Sequence, residues 1–179
     1  MEHGDSAEAR LRTLTTYFRE HPEAGRPERR ATSTTPKAPL NLPVLSHIQD
    51  SVAEVIAFTE AANPEARKTR PATLEGVYGW CREHLSYADG TVPLVVRTLE
   101  IRHYLEHTIL AGDATTAIRP IWCPACETPG LLWRSSIHRA VCINRHCARR
   151  NDGIHRTWTT EQLARREAIF ETTLRECAT

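Results

Sequence analysis

Four thiols in this chain are spaced for metal chemistry. Cys123-Pro124-Ala125-Cys126 is followed, after fifteen residues, by Cys142-Ile143-Asn144-Arg145-His146-Cys147. A C-x2-C turn sets two thiolates on one side of a tight loop, and a second pair at this distance completes a tetrahedron. Thiolates suit zinc, a borderline-soft ion with no redox change. The sequence therefore predicts one structural zinc held by Cys123, Cys126, Cys142 and Cys147. Because the second pair is C-x4-C, His146 is a rival to Cys147 as fourth ligand. A redox C-x-x-C would need a thioredoxin-like β-α-β pattern around Cys123 and Cys126, and none is apparent. The remaining alternative is four free, buried thiols. Cys81 and Cys177 fall in apolar helical stripes and are expected to be small core residues.

The same segment is basic. Residues 119–158 carry 7 Lys/Arg against 2 Asp/Glu, a balance of +5, whereas residues 1–118 carry 13 against 16 and residues 159–179 carry 3 against 4. Arg134, Arg139, Arg145, Arg149, Arg150 and Arg156 thus crowd a small sheet. Guanidinium forks suit phosphates, and Trp122, expected to be exposed, could stack on a base. The plainer account of such a charge run is a solvated face that keeps a small domain soluble.

His103-Tyr104-Leu105-Glu106-His107 matches H-x-x-E-H, in which two histidines hold a metal and the glutamate acts as base. On a helical wheel both histidines lie opposite Leu94, Ile101, Leu105 and Ile109 and so face solvent. The match is taken as chance spacing. No Walker phosphate loop, G-x-S-x-G elbow or dinucleotide fingerprint is present. The expectation is a protein without catalysis.

The elements that position these residues follow from periodicity. Residues 1–21 predict a short helix, with Ala7, Leu11, Leu14 and Phe18 at helical spacing and Tyr17 beside them. Residues 22–45 predict a linker, because 22–43 hold five of the eleven prolines and almost no large apolar residue. Residues 46–118 predict a helical domain. Ser46 to Gln49 suggests a capping box at the start of one helix, Thr73–Leu85 a second, and Val92–Ala111 a third, closed by Gly112. Residues 119–158 predict three strands, near 130–134, 139–143 and 156–159, with Trp133 and Trp158 over a small metal-stapled core. Residues 159–179 predict a last helix, opened by a Thr159/Gln162 capping box and carrying Leu163, Phe170, Leu174 and Cys177 on its apolar side.

The arrangement resembles a group of uncharacterised zinc-ribbon proteins of actinobacteria and their phages and mobile elements. The residues that carry the likeness are Val77-Tyr78-Gly79-Trp80, Glu106-His107, the Cys123 to Cys126 turn, Trp133, Cys142-Ile143-Asn144, Cys147 and Thr157-Trp158-Thr159. The resemblance implies that the helical middle and the ribbon recur as one unit, and it implies no activity.

The expected fold is mainly α with a small embedded four-cysteine β ribbon. The expected role is a zinc-dependent, nucleic-acid-binding accessory or regulatory protein, with DNA or RNA as partner. The alternative is a protein-binding adaptor or homo-oligomeric scaffold that uses the helical middle and the N-terminal helix. A helix-turn-helix within 73–111 is disfavoured, since its second helix offers only Arg97 and Arg102. No apolar run is long enough to span a membrane, and no secretory signal is read, so a soluble cytoplasmic protein is expected.

Overall fold

The computed structural model describes residues 7–20, 42–88 and 90–177. Most of the predicted linker lies outside the described residues. Seven α-helices and a three-stranded antiparallel sheet are described: α1 (Ala7–Glu20), α2 (Leu42–Ala62), α3 (Val77–Leu85), α4 (Val92–Leu110), α5 (Ala114–Ile118), β1 (Leu131–Arg134), β2 (Arg139–Cys142), α6 (Arg145–Arg149), β3 (Thr157–Trp158) and α7 (Thr160–Cys177). Short 3-10 helices cover Pro64–Thr69 and Leu74–Gly76. No described helix is long and apolar enough to cross a membrane.

The helix α4 is the axis of the molecule. It packs against α1, α7 and α5, and also touches α2 and α3. One core lies along its N-terminal half, where Val96 and Leu99 meet Leu11 and Leu14 of α1, Ile48, Val52 and Val55 of α2, and Tyr78 and Trp80 of α3. A second core lies at its C-terminal half. There Leu105 joins Ala117 and Ile118 of α5, Leu163 of α7, and Leu131, Ala140 and Cys142 of the sheet. Tyr104 packs against both. The cysteine segment is therefore not a free-standing unit, because it completes its core with the helices.

Three expectations change. First, α2 begins at Leu42, inside the segment read as linker. Pro43 misled that reading, yet proline fits the first helical turn, where its missing N–H would have no partner. Ser46 is then inside the helix, and its hydroxyl donates to Asp50 at 3.2 Å instead of capping. Second, Phe170, Leu174 and Cys177 face outward rather than into the core. The buried side of α7 is Leu163, Ala164 and Ala168, the two alanines allowing close approach to α4. Third, α1 is docked on its own chain, with Ala7, Leu11 and Leu14 at 0–1% exposure. The side chains of Tyr17 and Phe18 lie outside the described set.

At the start of α7, Thr159 Oγ1 accepts from the Gln162 N–H at 3.2 Å, while the Thr159 N–H donates to Gln162 Oε1 at 3.0 Å. This reciprocal exchange satisfies two of the helix's free donors.

Candidate metal centre

The sheet order is β1-β2-β3, with Leu131 opposite Cys142, Leu132 opposite Val141, Arg134 opposite Arg139, and Ala140 between Trp133 and Trp158. Alternation in a strand sends these residues to two faces. Leu131, Trp133, Ala140, Cys142 and Trp158 form the inner face, which closes the second core. Leu132, Val141, Thr157, Arg134 and Arg139 form the outer face. Cys142 ends β2, so its thiol is set by the sheet. Cys147 sits on α6, a helix the sequence did not suggest, whose N-cap Asn144 accepts the His146 N–H at 2.9 Å. The tight turn at Cys123 to Cys126 is closed by the Glu127 N–H donating to the Cys123 carbonyl at 2.9 Å and the Cys123 N–H donating to the Thr128 carbonyl at 3.0 Å. Gly130 adopts φ +125°, and a Cβ there would lie 3.2 Å from Ile143, which covers it.

These elements gather the sulfurs of Cys123, Cys126, Cys142 and Cys147 within 4.8 Å of one another. Cys126 and Cys142 are 3.8 Å apart. Four sulfurs at about 2.3 Å from one ion form a tetrahedron with edges of about 3.8 Å. The donor set therefore fits a tetrahedral, thiolate-binding ion. Cys147 is the fourth member, and the His146 side chain is exposed. Three of the sulfur-bearing residues are buried and Cys126 is half-buried.

The electrostatics suit a cation. Burial opposes ionisation of Cys126, but hydrogen bonds from Thr128, Cys123 and Cys142 outweigh it and bring the thiol down to about 7. Burial holds Cys142 up at about 12, reinforced by its cysteine neighbours, and Cys147 is likewise raised, first by burial. One thiolate forms readily and the next ones are opposed by burial and by each other, a conflict that a bound cation removes. The Cys126 sulfur has a polar collar. The Thr128 hydroxyl is 3.0 Å from it, and Asn144 Nδ2 reaches both that hydroxyl at 3.0 Å and the sulfur at 3.7 Å. Sequence reading missed this pair. The signal available was Asn144 two residues after a ligand and Thr128 two residues after another, each able to reach back over a tight turn.

The basic residues fall in two places. Arg134 and Arg139 face each other at the hairpin end of the sheet, while Arg145, Arg149, Arg150 and Arg156 lie near the cysteine end. All are exposed except Arg156, which is half-buried, and none of the six forms an ion pair with a described residue. Trp122 is exposed as expected. The two histidines of the H-x-x-E-H match are elsewhere and are buried, at 1% and 0% exposure, which corrects the solvent-facing expectation. A helical wheel treats any face away from the main apolar stripe as wet, but α1, α2 and α3 cover that side of α4. Arg97 is committed to Glu171 and Glu100, and Arg102 to Glu54 and Glu161. No family model, curated protein or solved structure matches the chain, so what it does has to be read from the four thiols and the basic residues around them.

Proposed function

We propose that the four-cysteine segment is a zinc ribbon that binds nucleic acid through phosphate contacts, in a protein that acts without catalysis. Zinc is the ion favoured by an all-thiolate tetrahedron. The observation that carries the nucleic-acid reading is the direct opposition of Arg134 and Arg139 across β1 and β2, with no carboxylate among the described residues paired to either. Like charges directly opposite in a sheet are destabilising. An anion between them turns that repulsion into two charge-assisted hydrogen bonds. Arg145 and Arg149 repeat the pattern at i, i+4 spacing on α6. The outer face of the sheet offers leucine, valine and threonine between the basic groups and no aromatic ring, which favours backbone contact over base readout.

Fluorescence anisotropy against single-stranded DNA, double-stranded DNA and RNA over a salt series tests this. Binding should weaken steeply with salt and depend little on sequence. Replacing Arg145, Arg149 and Arg150 together with alanine should flatten the log–log salt slope by roughly 0.7–0.9 per lost phosphate contact, with zinc content unchanged. Absence of binding to all three at low salt would reject the proposal.

A protein-binding adaptor or self-associating scaffold is the second reading. It is favoured by the outward row of Ile169, Phe170 and Leu174 on α7, each about half exposed. The N-terminal helix supports it less, since its apolar side is already engaged with α4.

A further inference from the structure

The least satisfied side chain in the helical half is His107. It is 0% exposed, and neither ring nitrogen makes a hydrogen bond of ordinary geometry, the Ala7 backbone of α1 being the one polar group that approaches the ring. A buried polar group left so costs about 1–3 kcal/mol, and a missing water or ion is among the standard reasons. His107 is also not alone. Its ring centre lies 5.1 Å from that of His47 on α2 and 5.8 Å from that of His103 one turn back on α4. Two imidazoles on one tetrahedral ion, with nitrogens at about 2.0–2.1 Å, have ring centres roughly 5 Å apart. The Glu54 carboxylate, two turns on from His47, approaches His103 Nε2 at 3.2 Å, close to the edge of a tetrahedron of that size. Tyr78 holds the other ring nitrogen of His103, its hydroxyl 2.8 Å from Nδ1, as outer partners of metal-bound histidines do.

We infer that His47, His103, His107 and Glu54 form a second divalent-metal site, between α2 and α4 and beneath α1. The chemistry fits a borderline ion such as zinc, which accepts imidazole and carboxylate together. A cleft of about 260 Å³ between α2, α4 and α7 has Glu54, Arg102 and Glu161 in its wall beside Phe58 and Leu99. Arg102 links that cleft to the cluster, with Nη2 3.0 Å from His103 Nε2 and bonded to Glu54. It also reaches Glu161 through Nη1 at 3.2 Å, so it can release His103 without losing a carboxylate. Among the described residues only the four cysteines are already drawn together within 4.8 Å. The histidine site therefore has to be organised by the ion, chiefly by turning the rings of His47 and His107 inward. The site is separate from the sulfur centre in ligands and in place.

The test uses the full chain. After zinc loading and dialysis, metal content is measured by elemental analysis and the zinc environment by X-ray absorption. The inference expects about two zinc per chain, one bound by sulfur and one by nitrogen and oxygen, and movement of the imidazole 15N resonances on adding zinc. His47→Ala, at the half-buried edge of the cluster, should leave about one zinc with a purely sulfur shell. His103→Gln should do the same. One zinc per wild-type chain with four sulfurs, and imidazole resonances that do not move in excess zinc, would overturn the inference. So would a second zinc that survives both substitutions, since it would then sit on exposed histidines such as His138 or His146. Nitrogen- and oxygen-bound zinc without sulfur-bound zinc would uphold this site while rejecting the ribbon.

Discussion

The helical half and the cysteine segment use arginine in opposite ways. In the helical half the arginines around α4 and after α2 are neutralised at close range. Arg67 and Arg70 share Glu60, Arg82 and Arg97 share Glu100, Arg97 also grips Glu171 at 2.6 and 2.9 Å, and Arg102 bridges Glu54 and Glu161. Several of these pairs tie α4 to neighbours distant in sequence. In the cysteine segment six arginines have no carboxylate partner among the described residues, and the segment's two acids, Glu127 and Asp152, are exposed and form no ion pair with a described residue. Pairing serves packing in the first region. Leaving charge unpaired costs the second region some stability and keeps it available to an outside anion. A metal on the four thiols would offset that cost, because the sheet is too small to hold a charged face by burial alone.

Removing the metal should break the comparison most severely. Structural zinc contributes on the order of 10 kcal/mol to small domains, so chelation or Cys123→Ser should unfold the β1–β3 sheet. Because Leu131, Ala140 and Cys142 share a core with Leu105 and Ile118, hydrogen exchange should quicken in α5 and the end of α4 as well. Protection should persist around Leu14, Val55 and Tyr78. Unchanged exchange in β2 after chelation would show that the metal does not hold the sheet.

Acid should act on the other region. The folded pKa values of His103 and His107, about 3 from burial first, lie below the unfolded value near 6.5. The unfolded chain therefore binds protons first as pH falls. Their contribution is complete above about 6.5 and is lost as pH drops toward 3. At pH 5 the loss is about 2 kcal/mol for each histidine. The groups facing the cluster are Glu54 and Asp50 from α2 and Arg102 from α4, and Arg102 opposes protonation of His103. Denaturant melts at pH 7.5 and 5.0 would measure the effect, and a His103→Gln/His107→Gln variant should flatten it.

Single arginine substitutions should separate the two uses. Arg97→Ala breaks a partly buried pair with Glu171 and should lower stability by about 1–2 kcal/mol, with little change in nucleic-acid affinity. Arg139→Ala should do the reverse. It removes a like-charge pair and should raise stability by about 0.2–1 kcal/mol, while weakening binding. Equal destabilisation by both would mean that the segment's arginines serve the fold after all.

Much of the cysteine segment was legible because its signals are local. The ligands follow from spacing within two short turns, and the strand ends fall within about two residues of those expected from alternation. The capping box at Thr159 and Gln162 is local too. What escaped was set by partners far along the chain. His103 and His107 looked wet because nothing within a turn of them announces that α1 returns to cover α4. The buried side of α7 was misassigned because Ala164 and Ala168 carry little hydrophobic signal yet permit the closest packing, whereas Phe170 and Leu174 carry much and remain outside. The start of α2 was hidden by Pro43, whose meaning depends on whether a helix follows.

The docking of α1 on α4 also imposes an order on synthesis. A helix of 14 residues is not stable alone in water, and its main partner ends at Leu110, ninety residues after Glu20. At roughly 5–20 residues per second, α1 waits about 5–20 s on the ribosome for the surface it will cover. Cys142 and Cys147 emerge later still. During that interval Leu11 and Leu14 remain open to chaperones, and α1, made before the surface it covers, settles only after α4 is complete.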